Sequence, residues 1–212
     1  MKKVKIRRLG MSACLLAAFM LWTAAVSVVD VRPIGPRGSS VGFSALNGWF
    51  HAFTGVHMSV YVITEWLSLV PLGLAAGFAC MGLMQWIRRR HIMKVDADIL
   101  ALGGFYGIVA AVYVCFELLP VNARPVLIEG MLETSYPSST TLLVLCVMPT
   151  AMMQLHRRMR SGTLRRIILF AMAVFAAAMV IARCISGVHW FTDIIGGALL
   201  SAGLTILYAA VL

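Results

Sequence analysis

The chain has 212 residues, 61% of them hydrophobic and only 12% charged, with a mean hydropathy of +0.91. Soluble domains carry about 25% charged residues, so an ordinary water-soluble protein is excluded. The formal net charge of +10 raises nucleic acid as a partner, but the cations border apolar runs with no aromatic-interleaved basic surface, so no nucleic acid is expected.

Six apolar runs approach the roughly 20 residues that cross a bilayer. In chain order they cover about 10–29, 58–86, 99–117, 138–155, 167–184 and 193–212. The expected fold is therefore an all-α membrane protein, six transmembrane helices in a single domain over 1–212. The first run has a basic start and small residues at Ala24, Ala25 and Ser27, as a signal peptide does. Its apolar stretch is longer than a signal core, which favours a retained anchor. The loop 30–57 opens with Gly, Pro and Ser, a turn-forming composition. Its end, 44–53, carries Trp49, Phe50 and Phe53 and fits a short helix lying in the membrane interface. His51 and His57 read as interfacial or capping residues, and His91 and His156 as solvated.

Three basic clusters flank the runs: Lys2, Lys3, Lys5, Arg7 and Arg8; Arg88, Arg89, Arg90 and Lys94; Arg157, Arg158, Arg160, Arg165 and Arg166. Such clusters mark cytoplasmic segments, and they would also meet anionic lipid headgroups. Both termini are then cytoplasmic, and 30–57, 118–137 and 185–192 lie outside. The expected location is a bacterial plasma membrane, crossed several times. Cys14, Cys80, Cys115, Cys146 and Cys184 have no metal-ligand spacing and read as buried free thiols.

The outer segments concentrate the remaining chemistry. "ELLPVNARPVLIEG" (117–130) holds Arg124, "ETSYPSSTTL" (133–142) holds Ser138, Ser139 and Thr140, and "RCISGVHWFTD" (183–193) holds Arg183, His189 and Asp193. Two guanidinium forks match phosphate oxygens. Ser138 and Ser139 follow Pro137 at a predicted helix start, where free N–H groups favour an anion. A carboxylate four residues after His189 can hold one ring nitrogen and leave the other free to attack phosphorus. A lone His-x-x-x-Asp pair is usually a helix-surface contact. Arg183 six residues earlier, with arginine and serine on two further outer segments, points instead to phosphoryl transfer.

"RCISGVHWFTD" resembles the third signature of the type 2 phosphatidic acid phosphatase superfamily, membrane branch. "YPSSTT" resembles its second signature, usually Pro-Ser-Gly-His, and "ARP" resembles the end of its first. The resemblance implies His189 as nucleophile forming a phosphohistidine and Asp193 orienting it. Arg124, Ser138 and Arg183 would bind phosphate, with no metal and no cofactor; Ser139, from its place at the predicted helix start, is a further phosphate-binding candidate. The implied substrate is a membrane lipid phosphate or prenyl diphosphate. Two positions depart from the pattern: Glu117 stands where the family has lysine, and Thr140 where it has a second histidine.

Three readings remain open. The leaving group is a good one, such as the lipid monophosphate released from a prenyl diphosphate. Another acid serves: Glu117, Glu129 and Glu133 share the outer segment. Glu65 lies roughly 10 Å deep in the second span at 1.5 Å per residue, where a carboxylate is either functional or bonded to a neighbouring helix. Or the protein binds or transports lipid phosphate without turnover.

Overall fold

The computed structural model describes residues 2–212. Among these residues the architecture is helical, with isolated bridges in two loops and no strand: α1 (Lys2–Val28), α2 (Ser44–Thr54), α3 (Met58–Leu67), α4 (Leu69–Arg89), α5 (Ala97–Leu118), α6 (Ser139–Arg158), α7 (Thr163–Ile185) and α8 (Phe191–Val211). With α3 and α4 taken as one span, six helical segments are long and apolar enough to cross a membrane. The protein is a multi-pass integral membrane protein.

Two boundaries differ from the expected ones. The basic stretch ahead of the first apolar run is itself helical, since α1 begins at Lys2; lysine and arginine are good helix formers. The second run breaks into α3 and α4 at Ser68. Pro71 has no N–H for the Leu67 carbonyl, and its ring crowds that oxygen.

α6 and α8 form the centre, each with 56% of its apolar window buried, against 22% or less for the other spans. They are wrapped by α1, which packs along α8, and by α7 on α6. Buried polar groups lock these contacts. Ser12 donates to the Gly203 carbonyl at 2.8 Å, and Trp22 Nε1 to the Thr192 carbonyl at 3.1 Å. Pro149 interrupts the α6 ladder and leaves the Leu145 carbonyl without its usual donor. Thr205 of α8 supplies one at 3.1 Å, so the break in one helix becomes a bond to the next. The cysteines are free, but Cys14, Cys80 and Cys115 lie on outward helix faces and only Cys146 is fully buried. In a membrane those outward faces meet lipid, so apolar surroundings do not require burial in protein.

The basic clusters gather at one end of the bundle. Arg8 reaches the Ala209 carbonyl, Arg89 pairs with Asp96 at 2.9 Å, and Arg158 with Asp98 at 2.7 Å. The segments rich in serine, arginine and histidine lie at the other end.

Candidate active site

The 119–138 loop is folded on itself as a narrow hairpin. Arg124 N donates to the Glu133 carbonyl at 3.0 Å, and Ser135 N to the Asn122 carbonyl at 2.9 Å. This places Arg124 and Ser135 side by side over the start of α8. The turn between α7 and α8 is fixed independently. Gly187 has φ +68, and a Cβ there would come 1.9 Å from the Gly55 carbonyl oxygen, so only glycine allows the approach. His57 N donates to the Ser186 carbonyl at 2.9 Å and seats the turn on the α2–α3 link. α2 holds the other flank: Asn47 donates to Thr192 Oγ1 at 3.0 Å and accepts from Thr192 N at 3.2 Å.

His189 is buried between these segments. Its Nδ1 is 3.1 Å from the Ser135 carbonyl oxygen and 3.9 Å from Asp193 Oδ2. A carbonyl only accepts, so Nδ1 carries the proton and Nε2 keeps its lone pair. Nε2 faces Arg124 Nη1 at 3.3 Å. Burial, then the Arg124 and Arg183 charges, push the imidazole well below its usual value of 6.5, so the ring is neutral at physiological pH. Asp193 is fully buried and heavily bonded. It accepts from Trp190 N at 2.9 Å, reaching back from the first turn of α8 to the residue that caps it, from Asn122 Nδ2 at 3.3 Å, and from the Ser135 hydroxyl. The carboxylate thus reaches the histidine mainly through Ser135.

Both arginines lie against Tyr61, their Cζ atoms 5.6 Å (Arg124) and 4.7 Å (Arg183) from its ring centroid, within cation–π range. Arg124 pairs with Glu133 at 3.0 Å. Arg183 is fully buried; its Nη2 is held by Glu65 and by the Thr140 hydroxyl, while Nε and Nη1 have no partner. Ser138 is fully buried and caps α6, its hydroxyl accepting from Thr141 N at 3.4 Å. Ser139 is the serine that lines open space. Glu117 Oε2 accepts from Thr134 Oγ1 at 2.8 Å.

Two spaces adjoin. A cavity of about 900 Å³ between α3, α4, α5 and α6 has Glu65, Glu117, Arg124 and Glu133 at one end and Leu72, Ala75, Val109 and Val147 further in. From Glu117 to Val109 along α5 is about 12 Å at 1.5 Å per residue. A small hollow of about 10 Å³ touches His189, Ser135, Arg124, Ser139 and Glu117. It has room for one water-sized group.

The model of the PAP2 superfamily matches residues 73–212. The chain belongs to the PAP2 superfamily. Its fold is similar to the crystal structure of a transmembrane PAP2-type phosphatidylglycerolphosphate phosphatase from Bacillus subtilis. The TM-score is 0.59 with 19% sequence identity, over 93% of this chain and 94% of that one. No curated protein matches the sequence.

In this PAP2 superfamily chain, His189, Arg124, Arg183, Thr140 and Asp193 come together, with Glu65, Glu117 and Glu133 around them. Glu129 takes no part in these contacts; it sits at φ +49 in the tip of the hairpin. Sequence reading missed Ser135, Asn122 and Tyr61. Ser135 and Asn122 lie inside the segments already singled out, but nothing in their spacing distinguishes them from loop residues.

Proposed function

We propose that this PAP2 superfamily member is a membrane phosphatase that hydrolyses a lipid phosphate or prenyl diphosphate through a phosphohistidine. The observation that carries the reading is the buried neutral imidazole, its Nδ1 proton given to the Ser135 carbonyl and its Nε2 lone pair facing Arg124. Nε2 attacks phosphorus and the P–O bond to the lipid breaks, the departing oxygen taking a proton. Water then attacks the phosphohistidine, the P–N bond breaks, and inorganic phosphate leaves with Nε2 restored. Arg124 and the unpaired donors of Arg183 take the phosphoryl oxygens, Ser139 adds a hydroxyl, and Ser138 acts by holding the start of α6. The adjoining cavity, polar at one end and apolar beyond, suits a headgroup with its chain. The site opens extracytoplasmically, the basic clusters marking the cytoplasmic end; α2, with Trp49 and Phe53 exposed, lies in the interface.

Thr140 gives no proton at neutral pH, and a missing general acid costs roughly 100- to 10,000-fold. A diphosphate substrate lessens that loss, because a phosphate leaves more readily than an alkoxide; Glu65, Glu117 or Glu133 could otherwise supply the proton. Purified protein is expected to release phosphate from a prenyl diphosphate and to retain radiolabel on histidine after acid-free quenching. His189→Ala should abolish both, and Asp193→Asn should lower release by on the order of 100-fold or more. Label on the His189→Ala protein would exclude this nucleophile.

A second reading, a lipid-phosphate binder or transporter without turnover, is favoured by the pairing of each arginine with a glutamate. It predicts lipid binding with no phosphate release from about pH 5 to 9, the range over which histidine chemistry operates.

A further inference from the structure

One proton of the reaction proposed above lacks a donor. In an in-line displacement the attacking and leaving atoms stand on opposite sides of phosphorus, so the acid that serves the departing oxygen lies away from His189, toward the lipid. Thr140 gives no proton at neutral pH, and the carboxylates are poorly suited to replace it. Glu65 and Glu133 are paired with Arg183 and Arg124, and their side chains are 47% and 43% exposed; a carboxylate in an ion pair open to water accepts hydrogen bonds and holds no proton. Glu117 is exposed as well, and its Oε2 accepts from Thr134 Oγ1. Three phenols also line the large cavity, those of Tyr61, Tyr106 and Tyr113, and tyrosine can act as a general acid. Tyr106 lies about 10 Å deeper than Tyr113 along α5, its hydroxyl bonded to Thr150 Oγ1 at 3.1 Å. Tyr113 also lines the hollow beside His189, on the side of the nucleophile. Tyr61 lines the large cavity alone, and its ring lies against both guanidiniums.

We propose that Tyr61 is the general acid of this site, its phenol giving the departing lipid oxygen the proton that Thr140 does not supply. The proposal rests on the phosphatase reading and names the acid which that reading leaves open. Arg124 links the two rings to one phosphoryl group: its Nη1 is 3.3 Å from His189 Nε2 and its Cζ is 5.6 Å from the Tyr61 centroid. As the bond from Nε2 to phosphorus forms and the P–O bond breaks, the bridging oxygen takes the phenolic proton and the lipid leaves as a neutral alcohol. The phenolate left behind lies beside two cations, a placement that stabilises negative charge as it develops. Water then attacks phosphorus and its proton returns to the phenolate; the P–N bond breaks and Nε2 recovers its lone pair. Tyr61 thus has two separable parts, a ring that contacts the arginines and a hydroxyl that carries the proton.

A matched pair of probes separates a proton donor from a structural ring. Dodecyl phosphate must lose an alkoxide or an alcohol and needs the proton; 4-dodecyl-2-nitrophenyl phosphate shares the phosphate and the chain but departs as a stable nitrophenolate. Release from each is measured as kcat/KM, which reports the steps up to lipid departure, for the full chain in detergent as wild type, Tyr61→Phe and Tyr113→Phe. The ratio of the two probes is taken within each variant, so a partial loss of folded protein cancels. Tyr61→Phe keeps the ring against the guanidiniums and should lower release from dodecyl phosphate by about 100-fold or more, as loss of a general acid does, while the nitrophenyl probe loses less than about threefold. Tyr113→Phe should leave the ratio near that of wild type. An unchanged ratio in Tyr61→Phe, whether both rates fall together or neither falls, would overturn the proposal, as would a leaving-group-dependent loss in Tyr113→Phe instead. A wild type that releases phosphate from neither probe removes the phosphatase reading and the proposal with it, whereas an active wild type with an unchanged ratio in Tyr61→Phe removes the proposal alone.

Discussion

The imidazole of His189 gives its Nδ1 proton to the Ser135 carbonyl and stands 3.9 Å from Asp193. A backbone acceptor fixes the tautomer without adding charge, which lets the ring stay neutral in a buried position. That neutrality has a consequence for stability. In the unfolded chain the histidine takes up a proton near pH 6.5; in the folded chain burial and two arginines hold its pKa well below that. As pH falls through about 6.5 the unfolded state alone binds the proton, so stability is lost with acidity and no such loss occurs above that pH. Thermal melts at about pH 7.5 and 5 should therefore show a larger drop for wild type than for His189→Gln, whose side chain does not titrate in this range. Equal drops would mean that the imidazole is not held neutral by the fold. His189, Asp193, Arg124 and Arg183 were legible in the sequence because their spacing is unusual among so few ionisable residues. Ser135, Asn122 and Tyr61 were not, because their importance lies in what folds against them.

The α7–α8 turn carries the histidine, and its register is set by one glycine. Gly187→Ala would strain a left-handed backbone by roughly 1–2 kcal/mol and also drive a methyl into the Gly55 carbonyl oxygen. Phosphate release should fall by at least about tenfold, the equivalent of 1.4 kcal/mol, while far-ultraviolet circular dichroism keeps its helical amplitude. Retained activity would show that the α2–α3 link yields easily. The spans themselves could be read from hydropathy, because bilayer thickness dictates their length. The break at Ser68 could not be read that way, since the apolar run passes straight through it. The bond from Thr205 to Leu145 was equally hidden: Pro149 announces a vacant carbonyl, but not which helix will fill it.

For the whole molecule, the sequence carried the six-span topology and the gathering of reactive residues at one end opposite the basic clusters. It did not carry the helix arrangement around α6 and α8, nor the pairing of carboxylates with both arginines, since distant partners leave no local pattern. The arrangement creates the apolar reach of the large cavity, which is testable by filling it. Val109 lines that reach, and Val109→Trp should raise KM for long-chain lipid phosphates by on the order of tenfold, with short-chain analogues little affected. An equal effect on both would mean that the chain lies elsewhere. The placement of α3 matters on this scale too. It bears both Tyr61, whose ring lies against the two guanidiniums, and Glu65, the counter-ion of one. One turn of a lipid-facing helix thus supplies a neighbour to each of the cations that await the anion.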